Sequence, residues 1–191
     1  MIKAIAFDFG GVITPGLFLS HVRNLPKDHP DRIYFNGASE KWDLGQMTIE
    51  QFYDTLSHIT HIPKESIDKK FYNNAKTHVK VIEIIKKLKH EYKIILFSNN
   101  FKYNVIKYFD KLNLHELFDE LVISSDHNVK KPDSKFYKIM LSQTKPRNNE
   151  IVFIDDRKEN VDTGNEMGIV SFVYQNPFQL VKDLKSQKIN I

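Results

Sequence analysis

The sequence predicts an α/β protein: a doubly wound, mainly parallel sheet with a small all-α segment inserted after the first strand. Three observations lead to this fold class. Five short apolar runs are almost unbroken by polar residues, which is typical of strands buried on both faces of a parallel sheet. Amphipathic helical patterns accompany the later runs. Residues 14–78, by contrast, contain no convincing strand.

The expected strands cover residues 2–9, 93–98, 121–124, 151–155 and 170–174. Three segments beside them repeat apolar residues at helical spacing, so we expect helices there. The apolar stripes are Val79, Ile82, Ile85 and Leu88; Val105, Phe109 and Leu112; and Phe136, Ile139 and Met140 with Gln143 on the same face.

The segment between the first two strands reads as helical. Thr48 is placed to cap a helix that has Gln51 in its first turn, and Pro63 suits the start of another helix. Residues 28–31 are expected to form a loop. We therefore divide the chain into a core, residues 1–14 and 79–191, and an inserted helical segment, residues 15–78.

Composition limits the classes of function. The 191 residues suffice for one domain with an insertion, and 41% hydrophobic and 27% charged residues are ordinary for a globular protein. The chain has no cysteine, which excludes disulfides, thiolate metal sites and a cysteine nucleophile. The net charge of +4 is spread along the chain, so it favours a small anionic substrate at least as much as nucleic acid.

No apolar run is long enough to span a bilayer, and the first residues lack a signal-peptide pattern. We therefore expect a cytoplasmic protein, a monomer or homodimer, with no membrane partner and no nucleic-acid partner.

Acidic residues end two of the expected strands. Asp8 follows the first apolar run, and Asp155 and Asp156 end the fourth. Because the carboxyl ends of parallel strands meet at one edge of a sheet, these three carboxylates are expected to converge there. Their mutual repulsion favours a bound divalent cation such as Mg²⁺, or shared protons.

The same edge collects other polar groups. Ser98 and Asn99 end the second expected strand, and Lys131 lies just before a helix; the neighbouring Lys130 is a competing candidate. A carboxylate nucleophile, hydroxyl and amide donors, an ammonium group and a carboxylate pair are the groups that phosphoryl transfer requires. The predicted substrate is therefore a small phosphorylated molecule.

Four segments, in this order, resemble the motifs of the haloacid dehalogenase (HAD) superfamily, over nearly the whole chain: Phe7-Asp8-Phe9-Gly10-Gly11-Val12, Phe97-Ser98-Asn99, Lys130-Lys131-Pro132-Asp133 and Phe153-Ile154-Asp155-Asp156. Asn160 and Gly168 also match the family's habits. The inserted segment resembles the family's small helical (C1-type) cap. The resemblance implies a Mg²⁺-dependent phosphatase in which Asp8 forms an aspartyl-phosphate.

The resemblance also implies the other roles. Ser98 and the backbone of Asn99 would bind phosphoryl oxygens, and Lys131 would neutralise charge on the nucleophile and the phosphate. The metal ligands would be Asp8, Asp156 and the carbonyl of Gly10, with Asp155 as a further ligand or as an orienting group.

One position departs from the family. Its phosphatases usually carry a second aspartate two residues after the nucleophile, a group that protonates the leaving group and activates water; here that position is Gly10. Another group could substitute, or the substrate could have a good leaving group. The alternatives are a metal-independent 2-haloacid dehalogenase-like hydrolase, and a catalytically weak binding or regulatory protein.

Several of these residues also allow a purely structural role. Asp156 and the polar residues 98–100 could cap the helices that follow. The aromatic residues of the inserted segment could line a substrate pocket, although packing against the core is the stronger expectation. These aromatic residues are Phe18, Tyr34, Phe35 and Trp42.

Overall fold

The computed structural model describes residues 1–15, 22, 24–73 and 75–191. Its centre is a five-stranded sheet in which every neighbouring pair is parallel and the strand order is β3-β2-β1-β4-β5. The strands are β1 (Ala4–Phe7), β2 (Lys93–Ser98), β3 (Glu120–Ile123), β4 (Ile151–Asp155) and β5 (Val170–Val173). The predicted α/β fold is thereby confirmed, and the first strand is shorter than expected at both ends.

Both faces of the sheet are covered. Ile5 and Phe7 of β1 belong to one apolar cluster, while Ala4 and Ala6 point into another. The two alanines are small, and the space on their face is taken by large rings from the neighbouring strands: Phe97 and Phe153 meet with ring centroids 5.4 Å apart. Continuous apolar runs with no polar alternation are the consequence of this two-sided burial.

Among the residues that the structure describes, five helices flank the sheet: α4 (Val79–Leu88), α5 (Lys102–Leu112), α6 (Ser134–Thr144), α7 (Lys158–Glu166) and α8 (Pro177–Ser186). Short 3₁₀ turns at His115–Leu117, Ser124–Asp126 and Asn148–Glu150 adjoin β3 and β4. The stripe predicted for α4 is wrong in part. Val79 is 65% exposed because the helix begins there, and the buried face is formed by Val81, Ile84, Ile85 and Leu88.

The segment between β1 and β2 is helical, and no strand occurs in its described residues. It contains α1 (Pro30–Asp43), α2 (Ile49–Thr60), a 3₁₀ turn (Lys64–Ser66) and α3 (Ile67–Phe71). The predicted cap of α2 is present: the Thr48 hydroxyl accepts the N–H of Gln51, and the Gln51 side chain accepts the N–H of Thr48.

The loop expected at residues 28–31 is wrong, because α1 begins at Pro30. His29 caps the helix, its Nδ1 accepting the N–H of Asp31 at 3.2 Å, and proline is well suited to a first turn, where its missing N–H has no helical partner. The start of α1 was not predicted because its cap is a histidine, which is outside the usual set of N-terminal capping residues.

Packing explains two of the four aromatic residues singled out in the inserted segment. Phe35 and Trp42 are buried, whereas Tyr34 is 44% exposed and its ring lies against His58. Phe18 lies outside the described residues. No helix in the described ranges combines the length and the apolar character needed to cross a bilayer.

Candidate active site

Asp8 lies at the carboxyl end of the central strand. Its backbone N–H donates to the carbonyl of Ile154 on β4 at 2.9 Å, which extends the parallel pairing by one residue and leaves the side chain 11% exposed at the sheet edge. A tight turn follows, in which the N–H groups of Ile13 and Thr14 both donate to the carbonyl of Phe9 at 3.0 Å. This turn carries the chain away from the edge.

The two glycines of this turn differ. Gly11 has a φ of +85°, and a Cβ there would lie 2.3 Å from Oδ2 of Asp156, so a side chain at this position would displace that carboxylate. A Cβ on Gly10 would meet no atom within 4 Å. The absence of a side chain on Gly11 therefore makes room for the Asp156 carboxylate at the site. The space around the Cα of Gly10, by contrast, is open.

Lys131 joins two of the acidic residues. Its Nζ donates to Asp8 Oδ1 at 3.0 Å, to Asp155 Oδ2 at 2.6 Å and to the carbonyl of Phe97 at 2.7 Å. The side chain is 1% exposed, so all three ammonium donors are used inside the protein. Lys130 points elsewhere and pairs with Glu40 and Asp43 of α1. Of the two candidate lysines, Lys131 is the one at the site.

Asn99 fixes the loop that carries this lysine. Its Nδ2 donates to the carbonyl of Lys131 and its Oδ1 accepts the N–H of Lys131, both at 2.8 Å. The Asn99 side chain thus ties the end of β2 to the loop before α6. Ser98, the last residue of β2, is 1% exposed beside it.

Asp155 is held from several sides. Oδ1 accepts the N–H of Arg157 at 2.8 Å and Nδ2 of Asn160 at 2.9 Å, and Oδ2 accepts Asn160 Nδ2 at 3.0 Å in addition to Lys131. Tyr137 in turn donates to the carbonyl of Asn160 at 2.6 Å. In the described residues, Oδ1 of Asn160 is a buried oxygen without a hydrogen-bond donor.

Sequence reasoning gave Asn160 no role at the site and missed Tyr137 altogether. Tyr137 adjoins the predicted stripe of α6 and was not included in it. The hydroxyl could have indicated a role for Tyr137 near the site, because a buried tyrosine usually finds a hydrogen-bond partner.

The alternative in which Asp156 caps a helix is wrong. Helix α7 has Arg157 as its cap residue, and the side chain that accepts the N–H of Arg157 belongs to Asp155. The carboxylate of Asp156 is therefore not used at the helix start. Helix α5 likewise has Phe101 as its cap residue with no side-chain cap, and Asn100 accepts only the N–H of Phe101 itself at 2.9 Å, so the capping interpretation of residues 98–100 is also wrong.

Negative charge exceeds positive charge at the site. Burial, with a smaller contribution from Asp155, outweighs Lys131 and raises the pKa of Asp8 to about 7. Burial and Asp155 also raise the pKa of Asp156. Burial alone would lower the pKa of Lys131, but Asp155 and Asp8 outweigh it and raise that pKa, which keeps the ammonium charged.

The acidic cluster fits a divalent cation. Asp8, Asp155 and Asp156 each offer a carboxylate oxygen, and these oxygens lie within 4.8 Å of one another. Hard cations such as Mg²⁺ prefer oxygen ligands, and a cation would compensate the excess negative charge of three carboxylates beside one ammonium group.

A family model described as haloacid dehalogenase-like hydrolase matches residues 31–174, three quarters of the chain. This chain belongs to the haloacid dehalogenase-like hydrolases. The match includes the loops of Ser98, Lys131 and Asp155, but it begins after Asp8.

Two curated relatives of this hydrolase are similar over shorter stretches. Flavin mononucleotide hydrolase 1 of Arabidopsis thaliana is 33% identical over 89 residues, which is 47% of this chain and 36% of the plant protein. Bifunctional epoxide hydrolase 2 of Mus musculus is 31% identical over 72 residues, 38% of this chain and 13% of the mouse protein. The matched stretch thus spans about a third or less of either relative.

Solved structures share the fold of the hydrolase over most of its length. A HAD-family enzyme of Bacteroides thetaiotaomicron, in complex with magnesium and inorganic phosphate, has a TM-score of 0.66 at 17% identity, covering 92% of this chain and 95% of that one. The L-2-haloacid dehalogenase of Xanthobacter autotrophicus has a TM-score of 0.65 at 17% identity, covering 100% and 85%.

Proposed function

We propose that this hydrolase is a Mg²⁺-dependent phosphatase that acts on a small phosphorylated metabolite, a sugar phosphate or a similar ester, through an aspartyl-phosphate on Asp8. The observation that carries the proposal is the convergence of Asp8, Lys131 and the pair Asp155-Asp156 at the carboxyl edge of one parallel sheet. A dianionic phosphate repels a carboxylate nucleophile, so the reaction needs positive charge beside both groups.

Asp8 is the proposed nucleophile. Its Oδ1 is held by Lys131, which leaves Oδ2 for attack on phosphorus. The new O–P bond forms as the bond from phosphorus to the leaving oxygen breaks, and the leaving oxygen takes a proton from solvent. Water then attacks the phosphorus of the aspartyl-phosphate, which releases inorganic phosphate and restores the carboxylate.

The surrounding groups hold the phosphate. The Ser98 hydroxyl and the backbone N–H of Asn99 would donate to phosphoryl oxygens, and Lys131 would balance charge on the nucleophile. Since the Asn99 side chain is engaged with Lys131, its backbone is the part that remains for the substrate.

The proposed metal ligands are Asp8, Asp156 and the carbonyl of Gly10. Asp155 would be a further ligand or an orienting group, and the hydrogen bonds on both of its oxygens favour orientation. When bound, Mg²⁺ would supply positive charge that reduces the repulsion between phosphate and carboxylate.

The inserted helical segment, residues 15–78, is the proposed cap over this edge. It would exclude water and select the substrate. Two relatives support the choice of a phosphate ester: the plant relative is named for hydrolysis of flavin mononucleotide, which is such an ester, and a structural neighbour was crystallised with magnesium and phosphate.

The proposal is tested with p-nitrophenyl phosphate. We expect hydrolysis that requires Mg²⁺, stops with a chelator and is lost in Asp8→Asn, which keeps the size of the side chain but removes the nucleophilic oxygen. Retained phosphate release by Asp8→Asn would exclude the aspartyl-phosphate.

A dehalogenase is the second candidate, because the likeness to a 2-haloacid dehalogenase extends over the whole chain. It predicts halide release from 2-chloropropionate in the presence of a chelator. A binding or regulatory protein, the third candidate, predicts Mg²⁺ binding without turnover of any substrate.

A further inference from the structure

The C-terminal part of α1 is attached to the core beside the proposed phosphate site. Trp42 is 2% exposed, and its indole Nε1 donates to Oδ1 of Asn100 at 3.2 Å. Asn100 is the second residue after Ser98, the end of β2. A side chain of the inserted segment therefore contacts the very loop whose hydroxyl and N–H groups would hold the phosphoryl oxygens.

Asn100 is a junction of buried hydrogen bonds. Besides Trp42, its Oδ1 accepts the N–H of Phe101 at 2.9 Å and Nδ2 of Asn104 at 3.0 Å, and its own N–H donates to Ser124 Oγ at 3.0 Å. The residue is 6% exposed, so water does not readily replace a lost donor. The direction of the backbone after Ser98 consequently depends on hydrogen-bond partners from α1, from the start of α5 and from the turn after β3.

A second contact joins α1 to the lysine loop. Lys130 pairs with Glu40 and Asp43 of α1, and the next residue, Lys131, is clamped by Asn99 at its backbone N–H and carbonyl. Helix α1 thus contacts both loops of the site, at the residue after Asn99 and at the residue before Lys131.

The backbone also comes close at the end of α1. Ser124 Oγ donates to the carbonyl of Asp43 at 2.5 Å, and a Cβ on Gly45 would lie 2.3 Å from the carbonyl oxygen of Ser125. These contacts hold the end of the helix against the core at a fixed distance. They place the Trp42 indole where its N–H reaches Asn100.

We propose that Trp42 is a positioning residue for phosphate binding: through Asn100, its indole N–H fixes the Ser98-Asn99 backbone, so that helix α1 completes the phosphate site. The inference rests on the proposed function. A lid that only covers the site would alter access to it, whereas a positioning residue alters the affinity for phosphate itself.

The test measures binding of inorganic phosphate in the presence of Mg²⁺ by calorimetry. Trp42→Phe keeps an aromatic ring and removes the N–H, and we expect it to weaken phosphate binding about three- to tenfold, the range of one buried hydrogen bond. Mg²⁺ binding measured alone should be unchanged.

Phe52→Leu is the matched control. Phe52 packs edge-on against the Trp42 ring with centroids 4.5 Å apart, so its truncation loosens the same packing while the indole N–H stays. We expect a lower melting temperature and a phosphate affinity within about twofold of the wild type. Equal phosphate affinity in Trp42→Phe and wild type, or an equal loss in Phe52→Leu, would overturn the inference.

A measurement on the unaltered protein covers the case in which Trp42→Phe does not fold. Trp42 is the single tryptophan of the chain, so tryptophan fluorescence reports on the surroundings of this one indole, which include the contact with Asn100. We expect the emission to change saturably when phosphate is titrated in the presence of Mg²⁺. The midpoint of this change should equal the midpoint of phosphate binding measured by calorimetry. Constant emission during calorimetrically observed binding contradicts the inference, and absence of any phosphate binding to the wild type contradicts the proposed function itself.

Discussion

Two adjacent lysines show how burial separates a site residue from a surface residue. Lys131 is enclosed with Asp8 and Asp155, while Lys130 lies at the surface with Glu40 and Asp43. The sequence places both at the same loop with the same chemistry. Their difference depends on which side chain the turn directs inward, and the clamp of Asn99 on the Lys131 backbone decides this.

The pair gives a prediction on stability. Lys131→Met leaves two buried carboxylates without their cation, and we expect it to lower the free energy of unfolding by about 3–5 kcal/mol. Lys130→Met removes only a partly exposed pair and should cost about 1 kcal/mol or less. Urea unfolding of both variants without Mg²⁺ checks this, and similar losses would show that Lys131 is not the buried counter-ion described above.

Gly10 is a second residue at which the sequence alone was ambiguous. Its lack of a side chain removes the general acid expected from the family resemblance, but a Cβ there would meet no atom within 4 Å. The position can therefore accept a Cβ without displacing its neighbours, unlike Gly11.

Gly10→Asp should restore acid catalysis. In the wild type, we expect rates on aryl and alkyl phosphates to fall steeply as the leaving-group pKa rises, because no positioned acid protonates the departing oxygen. Gly10→Asp should flatten that dependence and raise rates on alkyl phosphates by about 10²–10⁴. A wild-type rate that already varies little with leaving group would show that another residue supplies the proton.

At the scale of elements, the strands were more predictable than the helices around them. Their apolar runs are set by burial on both faces, and β2 and β4 have the predicted bounds. Helix α1 was harder, because its start depends on a histidine cap, and its buried residues Phe35, Ala38 and Trp42 face partners distant in sequence. The contact of Trp42 with Asn100, 58 residues away, has no local signal.

Alanine substitutions at two glycines of the inserted segment should have opposite effects on the stability of the protein. Gly45 has a φ of +67° and its Cβ would lie 2.3 Å from the carbonyl oxygen of Ser125, so Gly45→Ala should destabilise the protein by about 1–3 kcal/mol. Gly37 lies inside α1 with open space around its Cβ, so Gly37→Ala should stabilise it by about 0.5–1 kcal/mol. Thermal unfolding compares them; a neutral Gly45→Ala would mean that α1 does not press against the core there.

At the scale of the whole molecule, the sheet topology creates the site. Asp8 is separated by more than a hundred residues of chain from Lys131 and Asp155, and it meets them because β1 lies between β2 and β4 with the three strands in register. The convergence of the acids could be predicted, since parallel strands share one carboxyl edge. The hydrogen bonds of Asn160 and Tyr137 that orient Asp155 could not, because they depend on how α6 and α7 pack against each other.

The proposed Mg²⁺ site at the acidic cluster predicts that the stability of the whole fold depends on the ion. The unfolded chain cannot assemble Asp8, Asp155 and Asp156, so the proposed ion would bind the folded state alone and should stabilise it by about 2.7 kcal/mol at a concentration a hundred times its Kd. For a chain of this size, that corresponds to a rise in melting temperature of roughly 5–10 °C. Asp156→Asn should abolish the rise, because the Lys131 ammonium donates to Asp8 and Asp155, which leaves the Asp156 carboxylate as the proposed ligand of the ion. Asp162→Asn, an exposed acid on α7 paired with Lys158, should keep it. Equal Mg²⁺ stabilisation of both variants in a thermal scan would place the ion elsewhere and remove the basis for a metal-dependent phosphatase at this edge.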